Sequence, residues 1–333
     1  MTLAFLAITV RLLALPPHAT IEPVGTQSLM TAAADGSIAA TITSSGYRVR
    51  PALWDRDGRF RFGSGSGTVA AFDERGSLLV NADKPRRLVD SRAAALDLNA
   101  CENFPQASIG PLVAGVLSNG ALIVTMRSPA MVNLDDTSGQ NAPVVLHLRS
   151  RQCLNMGNGI ALATAGLYTA GYTAYIANVP APSNVVSTRE RFVAMRWHER
   201  TREPLGPGVA LAVNAAGFAA GSDVPPGAGF AYGTLPHARV WRADGSAVDF
   251  ATNAPLSVGY AIDARGRVVG TLEDDAHRHY AFIWDGTTLH RLDDVVNVPG
   301  WRFECAYAFT PAGGIAGIGT YRGIAEAFVI SGF

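Results

Sequence analysis

The chain has 333 residues and a formal net charge of zero, from 27 basic and 27 acidic side chains, which argues against a dedicated nucleic-acid or anionic-membrane binder. Hydrophobic residues make up 48% and charged ones 16%, so disorder is excluded and a sizeable core is expected. Glycine, at 35 residues, is spread along the chain without the period of three of collagen or the tracts of a linker.

From the N-terminus, Met1 to Leu15 is apolar apart from Thr2, Thr9 and Arg11. A secretory signal wants a basic start, an unbroken apolar run and a small-residue cleavage site. Here Arg11 interrupts the run, and the plausible cleavage zone is around Pro17, His18 and Ala19. The run is too short to span a bilayer, and no other stretch reaches that length, so no membrane span is expected.

Seven times thereafter an Ala/Val-rich stretch enters a four-residue turn ending in glycine and leaves as a second small-apolar stretch. The clearest copies are Ala210 to Gly221, Gly259 to Gly270, Val69 to Val80 and Tyr307 to Gly317, with weaker ones at Gly36, Gly120 and Gly166. The turn glycines at 36, 76, 120, 166, 217, 266 and 313 recur about every 46 residues. Asn or Asp three residues earlier can bond its own backbone, and glycine supplies the positive φ, so each unit predicts a β-hairpin. A third run follows, often ending in tryptophan (Trp54, Trp197, Trp241, Trp284), and in several units a fourth, as at Leu289 to Leu292. Four strands in about 46 residues make one propeller blade. The expected fold is all-β: a seven-bladed propeller of four-stranded antiparallel blades, with residues 1–28 as an N-terminal segment and 29–333 as a single domain. The chain stops after a third strand at Phe333, so the N-terminus must supply the closing strand, from Ala7 to Leu13 or from Thr20 to Gly25.

Cys101, Cys153 and Cys305 lie far apart and in no Cys/His cluster, which removes zinc, haem and thioredoxin-like readings. The odd count leaves at least one free thiol and specifies no disulfide framework, and the expectation is of small buried packing residues.

The repeat resembles the HAF family of bacterial extracellular repeats, whose units read approximately A-x-A-I-N-x-x-G-x-V-V-G, a loop, then H-A-F-x-W. Gly259 to Gly270 with Tyr280-Ala281-Phe282-Ile283-Trp284 is the best copy, and Ala210 to Gly221 with His237-Ala238-Arg239-Val240-Trp241 the next. The likeness is specific over about 205–330 and loose elsewhere. It implies an exported propeller, periplasmic or extracellular, but carries no catalytic residues. If Ala7 to Leu13 is the closing strand and no signal is cleaved, the reading becomes cytoplasmic.

Function is expected on the face shared by the loops between second and third strands and those between blades. Those loops read as long at about 126–141, 171–190 and 222–236, more than strand connection needs. The densest polar group is Glu273-Asp274-Asp275-Ala276-His277-Arg278-His279. His277, His279 and Asp275 there are candidate acid–base residues or divalent-metal ligands, against the plainer reading of a solvated loop tip. Arginines can hold an anion by paired hydrogen bonds, which nominates Arg48, Arg87, Arg127, Arg191 and Arg278, with Lys84, Arg86 and Arg92 beside Arg87 in the second unit's loop. Tyr172 and Tyr175, with Tyr168, are a candidate stacking platform for sugars or aromatic ligands. No nucleophile elbow, zincin, P-loop, dinucleotide or EF-hand motif occurs, and no cofactor is expected. The leading reading is a monomeric propeller binding a small molecule, glycan or protein at the channel mouth. The alternative is a lyase, cyclase or hydrolase using the His/Asp group.

Overall fold

The computed structural model describes residues 8–15, 20–21, 30–44, 48–82, 84–89, 92–96, 109–127, 141–147, 152–180, 186–199, 201–224 and 235–332. After β1 (Thr9–Leu13) the strands come in sets of four, each set a meander. The first sheet is β2 (Met30–Ala32), β3 (Ile38–Ser44), β4 (Arg48–Trp54) and β5 (Phe60–Phe62). The second is β6 (Thr68–Phe72), β7 (Leu78–Asn81), β8 (Arg86–Val89) and β9 (Arg92–Ala95). The third is β10 (Ile109–Val116), β11 (Leu122–Arg127), β12 (Asn141–His147) and β13 (Gln152–Asn155). The fourth is β14 (Ile160–Ala165), β15 (Tyr168–Pro180), β16 (Val186–His198) and β17 (Thr201–Pro207). The fifth is β18 (Val209–Val213), β19 (Ala219–Ser222), β20 (Ala238–Trp241) and β21 (Ala247–Asp249), and the sixth β22 (Leu256–Ile262), β23 (Val268–Glu273), β24 (His279–Trp284) and β25 (Leu289–Arg291). A short helix, α1 (Leu292–Val296), leads to β26 (Trp301–Phe309), β27 (Ile315–Tyr321) and β28 (Ile324–Ser331), and β1 completes that last sheet as its outermost strand. Six sheets are therefore built from consecutive strands, and one joins the two ends of the chain. First strands touch in sequence, β2 to β6, β10, β14, β18, β22 and β26, and β26 returns to β2, so the sheets stand in a closed ring around an axis.

Three repeated devices make the ring. Each turn glycine has positive φ, from +59° at Gly166 to +86° at Gly36, a region costly for residues with a Cβ. Where Asp or Asn precedes it by three, the side chain closes the turn: Asp73 Oδ1 accepts from Arg75 N and Ser77 N, and Asn214 Oδ1 from Ala216 N and Phe218 N. Second, a bulge interrupts the innermost strand at the same place in six sheets, between Val69 and Ala71, Val113 and Gly115, Ala161 and Ala163, Ala210 and Ala212, Gly259 and Ala261, and Ala306 and Ala308. A bulge raises local twist, as strands crowded round an axis require. Third, the residue five beyond the turn glycine is often a buried polar one that bonds the next sheet's backbone. Thr41 Oγ1 accepts from Val69 N, Asn81 both donates to Val113 O and accepts from Val113 N, Thr125 Oγ1 accepts from Ala161 N, and Thr271 Oγ1 donates to Glu304 O. Between sheets the cores are apolar, with Trp54, Trp197 and Trp241 fully buried. Trp197 Nε1 donates to Met156 O at 2.9 Å, which satisfies the indole where it is buried.

The expectation of a seven-bladed propeller of short four-strand units does not foresee the fourth sheet, which is not a blade of the common size. Its strands β15 and β16 are 13 residues each and pair without interruption from Tyr168 opposite His198 to Pro180 opposite Val186. The stretch 171–190, expected as a loop, is thus largely a β-ribbon, because Tyr, Thr, Ile and Val on both arms sustain extended pairing. The innermost strand reaches only to Tyr172 and the outermost only to Val193, so the ribbon continues beyond both. Arg86 and Arg87 are likewise not in a loop but open β8, and Arg92 opens β9. Of the cysteines expected as small buried packing residues, Cys305 is free and buried, Cys153 is instead disulfide-bonded, and Cys101 lies outside the described residues. Of the two closing stretches it is Thr9–Leu13 that pairs with β28, whereas Thr20 bridges Thr43 of the first sheet.

Candidate functional site

The bulge leaves one residue of each of these innermost strands outside the ladder. These residues are Ala70, Ala114, Leu162, Leu211, Tyr260 and Tyr307 in successive sheets. The rings of Tyr260 and Tyr307 lie 5.0 Å apart, and Ala70 and Leu162 share a small hollow with Asn81, Leu112 and Val113. At the end where the strand-two to strand-three connections lie, Val209, Leu211 and Val258 form an apolar floor. Leu162, Tyr172, Phe192, Leu256 and Tyr260 pack on it, each partly exposed. Tyr172 and Phe192 come from the root of the ribbon, their rings edge to face at 5.8 Å. Burial drives the Tyr260 and Tyr307 phenols well above their ordinary range, so both stay protonated donors. Burial likewise pushes the Cys305 thiol up to about 12.

The acid–base candidates resolve into a turn. Asp274 Oδ1 accepts from Ala276 N at 2.9 Å and Arg278 N at 3.0 Å, and His277 N donates to Asp274 O. His277 has φ +58°, the place the hairpin glycine takes elsewhere, so this is the same Asp-x-x-Gly device with histidine fourth. Asp274 Oδ2 also accepts from Arg278 Nε and from Tyr280 Oη, and these bonds, that of Arg278 first, hold its carboxyl well below the usual range. Arg278, nominated for an anion, is thereby spent on its own turn. Asp275 is exposed at the tip of this turn. The carboxylate that meets the two histidines is Glu273, nearly buried at the end of β23, ion-paired with His277 Nδ1 and 3.9 Å from His279 Nε2. The two rings are 84% and 52% exposed, so they face water rather than a cleft. Among the described residues no group of three His, Cys, Asp or Glu is placed to hold a metal ion.

Of the nominated arginines, Arg87 and Arg278 have side chains among the described residues. Arg87 pairs with Asp73 at 3.1 Å, the turn residue at the opposite end of its sheet from the strand-two to strand-three connections. Arg48 and Arg127 lie on β4 and β11, their side chains outside the described set. Tyr175 and Arg191 are direct partners across the ribbon, also with side chains outside that set. Sequence reasoning missed two groups. Arg196, nearly buried, bonds Glu203 and the carbonyls of Gly217, Arg242 and Ala243, clamping the fourth sheet to the fifth. His237 lies 3.6 Å from Asp223, whose Oδ1 accepts from His237 N, at the foot of the 222–236 connection.

No protein-family model matches the chain, and no curated protein matches it. Solved structures do. The β-propeller domain of the trilobed protease from Pyrococcus furiosus, which has an open velcro topology, matches with TM-score 0.56 and 8% identity over 92% of this chain and 93% of that one. The chain is a β-propeller. The acylaminoacyl peptidase of Pyrococcus horikoshii matches with TM-score 0.57 and 10% identity over 92% of this chain but only 51% of its own. This propeller thus spans about half of that peptidase, and at such identity the likeness shows the fold alone. Among the described residues no helix is long and apolar enough to cross a membrane.

Proposed function

We propose that this propeller is a binding protein whose site is the channel mouth beside the β15–β16 ribbon, taking a glycan, peptide or small molecule with an apolar or aromatic face. The observation that carries the reading is the partly exposed apolar group at that end, where Tyr172, Phe192 and Leu162 of the fourth sheet and Tyr260 of the sixth converge on the buried floor of Val209, Leu211 and Val258. Aromatic rings held by a rigid ring of sheets offer contact area at little entropic cost. The enzyme alternative has less support, because Asp274 is saturated within its turn and His277 and His279 stand in water. The disulfide at Cys153 supports an oxidising compartment, as the HAF-like repeat implies, with residues 9–13 retained as the closing strand and not removed as a signal. A thermal-shift panel of oligosaccharides, carboxylates and short peptides tests the reading. Ligands that raise the melting temperature are expected to lose that effect in Tyr172→Ala and Phe192→Ala. A ligand whose shift survives both substitutions places binding elsewhere.

A further inference from the structure

β1 belongs to two inter-sheet cores at once. Ile8 and Val10 pack with Ile283, Val296 and Phe328 on one side, while Leu13 and Leu15 pack with Ile38, Trp54 and Ala327 on the other. Its backbone pairs with β28 from Thr9 opposite Ser331 to Leu13 opposite Ala327. Past the strand, Leu15 N donates to Glu326 Oε2 at 3.1 Å, and Ala14 O accepts from Trp54 Nε1 at 3.3 Å. The Arg11 guanidinium donates to Arg56 O. Yet β1 is the terminal strand of its sheet, with Thr9, Leu12 and Ala14 exposed and Leu13 alone fully buried within it. It is held as an added strand is held in peptide recognition: a main-chain ladder for affinity and a pocket at intervals for selectivity.

We infer that the outer edge of β28 is a strand-binding site for the Ile8–Leu15 sequence, filled here by the chain's own segment and open to that segment from a second copy. The Leu13 pocket sets selectivity, since it is lined from the first and last sheets together. A cut in the chain between Leu15 and Thr20 would leave β1 bound as a peptide, and its loss would bare a sheet edge that templates further pairing.

Single cysteines at two exposed, directly opposed positions test this on the full chain. Thr9→Cys and Ser331→Cys placed in one molecule are expected to form an intramolecular disulfide, since Thr9 and Ser331 are partners in the ladder. Separate Thr9→Cys and Ser331→Cys proteins, mixed at high concentration under mild oxidation, are expected to accumulate a disulfide-linked dimer. Adding Leu13→Asp to the Thr9→Cys chain is expected to cut dimer yield at least tenfold. A disulfide within one molecule but none between molecules overturns exchange. No disulfide in either case overturns the assignment of the site, and so does a dimer indifferent to Leu13→Asp.

Discussion

Gly266 has φ +81° with open space where a Cβ would go, so its role is conformational and not steric. Gly266→Ala is expected to lower unfolding free energy by about 1 kcal/mol in urea titration, the cost of a left-handed alanine. His277 has the complementary problem: it carries a side chain at φ +58° and gains an ion pair that is 84% exposed on the histidine side. An exposed pair is worth about 0.5 kcal/mol or less, and the strain about 1 kcal/mol or more. His277→Gly is therefore expected to leave stability unchanged or raise it. A marked loss would show that the Glu273 contact matters more than the turn. Asp285 accepts from Thr288 N, Thr287 N and Thr287 Oγ1, and these bonds, that of Thr288 first, hold its pKa down to about 2. A depressed folded pKa gives stability that is full above the unfolded value of about 4 and is lost as pH falls towards 2. Carboxyl chemical shifts should show that low midpoint, and Asp285→Asn should remove this contribution to the acid limb of unfolding. Cys305, raised by burial, is expected to resist thiol reagents at pH 8 until the protein is unfolded.

Between residues and the ring stands the clamp at Arg196, which bonds one carboxylate and three carbonyls of the neighbouring sheet. Arg196→Ala leaves those carbonyls without a donor and is expected to cost about 2–3 kcal/mol. Arg196→Lys should rescue little, because one ammonium does not span the fork. The hairpins were legible in the sequence because a glycine needing positive φ and an Asp or Asn three residues before it are local signals. The ribbon was not, since Thr173 to Pro180 and Val186 to Phe192 carry no strict alternation, and the length of a hairpin is decided by cross-strand pairing. Arg196 was illegible for the same reason: the carbonyls it clamps lie 21 to 47 residues away. The group at Glu273 to His279 read as chemistry because residue types were visible while the turn that consumes Asp274 was not. The partners of the histidines also shifted by two positions, from Asp275 to Glu273.

At the scale of the whole molecule, ring closure and the channel mouth depend on one another. The buried Thr41, Asn81, Thr125 and Thr271 bonds lock successive sheets, and β1 locks the last, so the innermost strands are held in fixed positions. The repeat made a ring of four-stranded sheets legible, and it made the inward face of the small residues legible too. What the mouth would hold was not, because its floor is assembled from Leu162, Leu211, Tyr260 and Phe192, spaced across three repeats. The most direct measurement compares, for any ligand that shifts the melting temperature, its affinity for the parent, for Tyr172→Ala with Phe192→Ala, and for His277→Gly. Loss of tenfold or more in the aromatic double variant, with His277→Gly unchanged, is the expected result. Binding that survives the double variant and disappears in His277→Gly would contradict the channel-mouth site and return the Glu273 histidines to the centre of function.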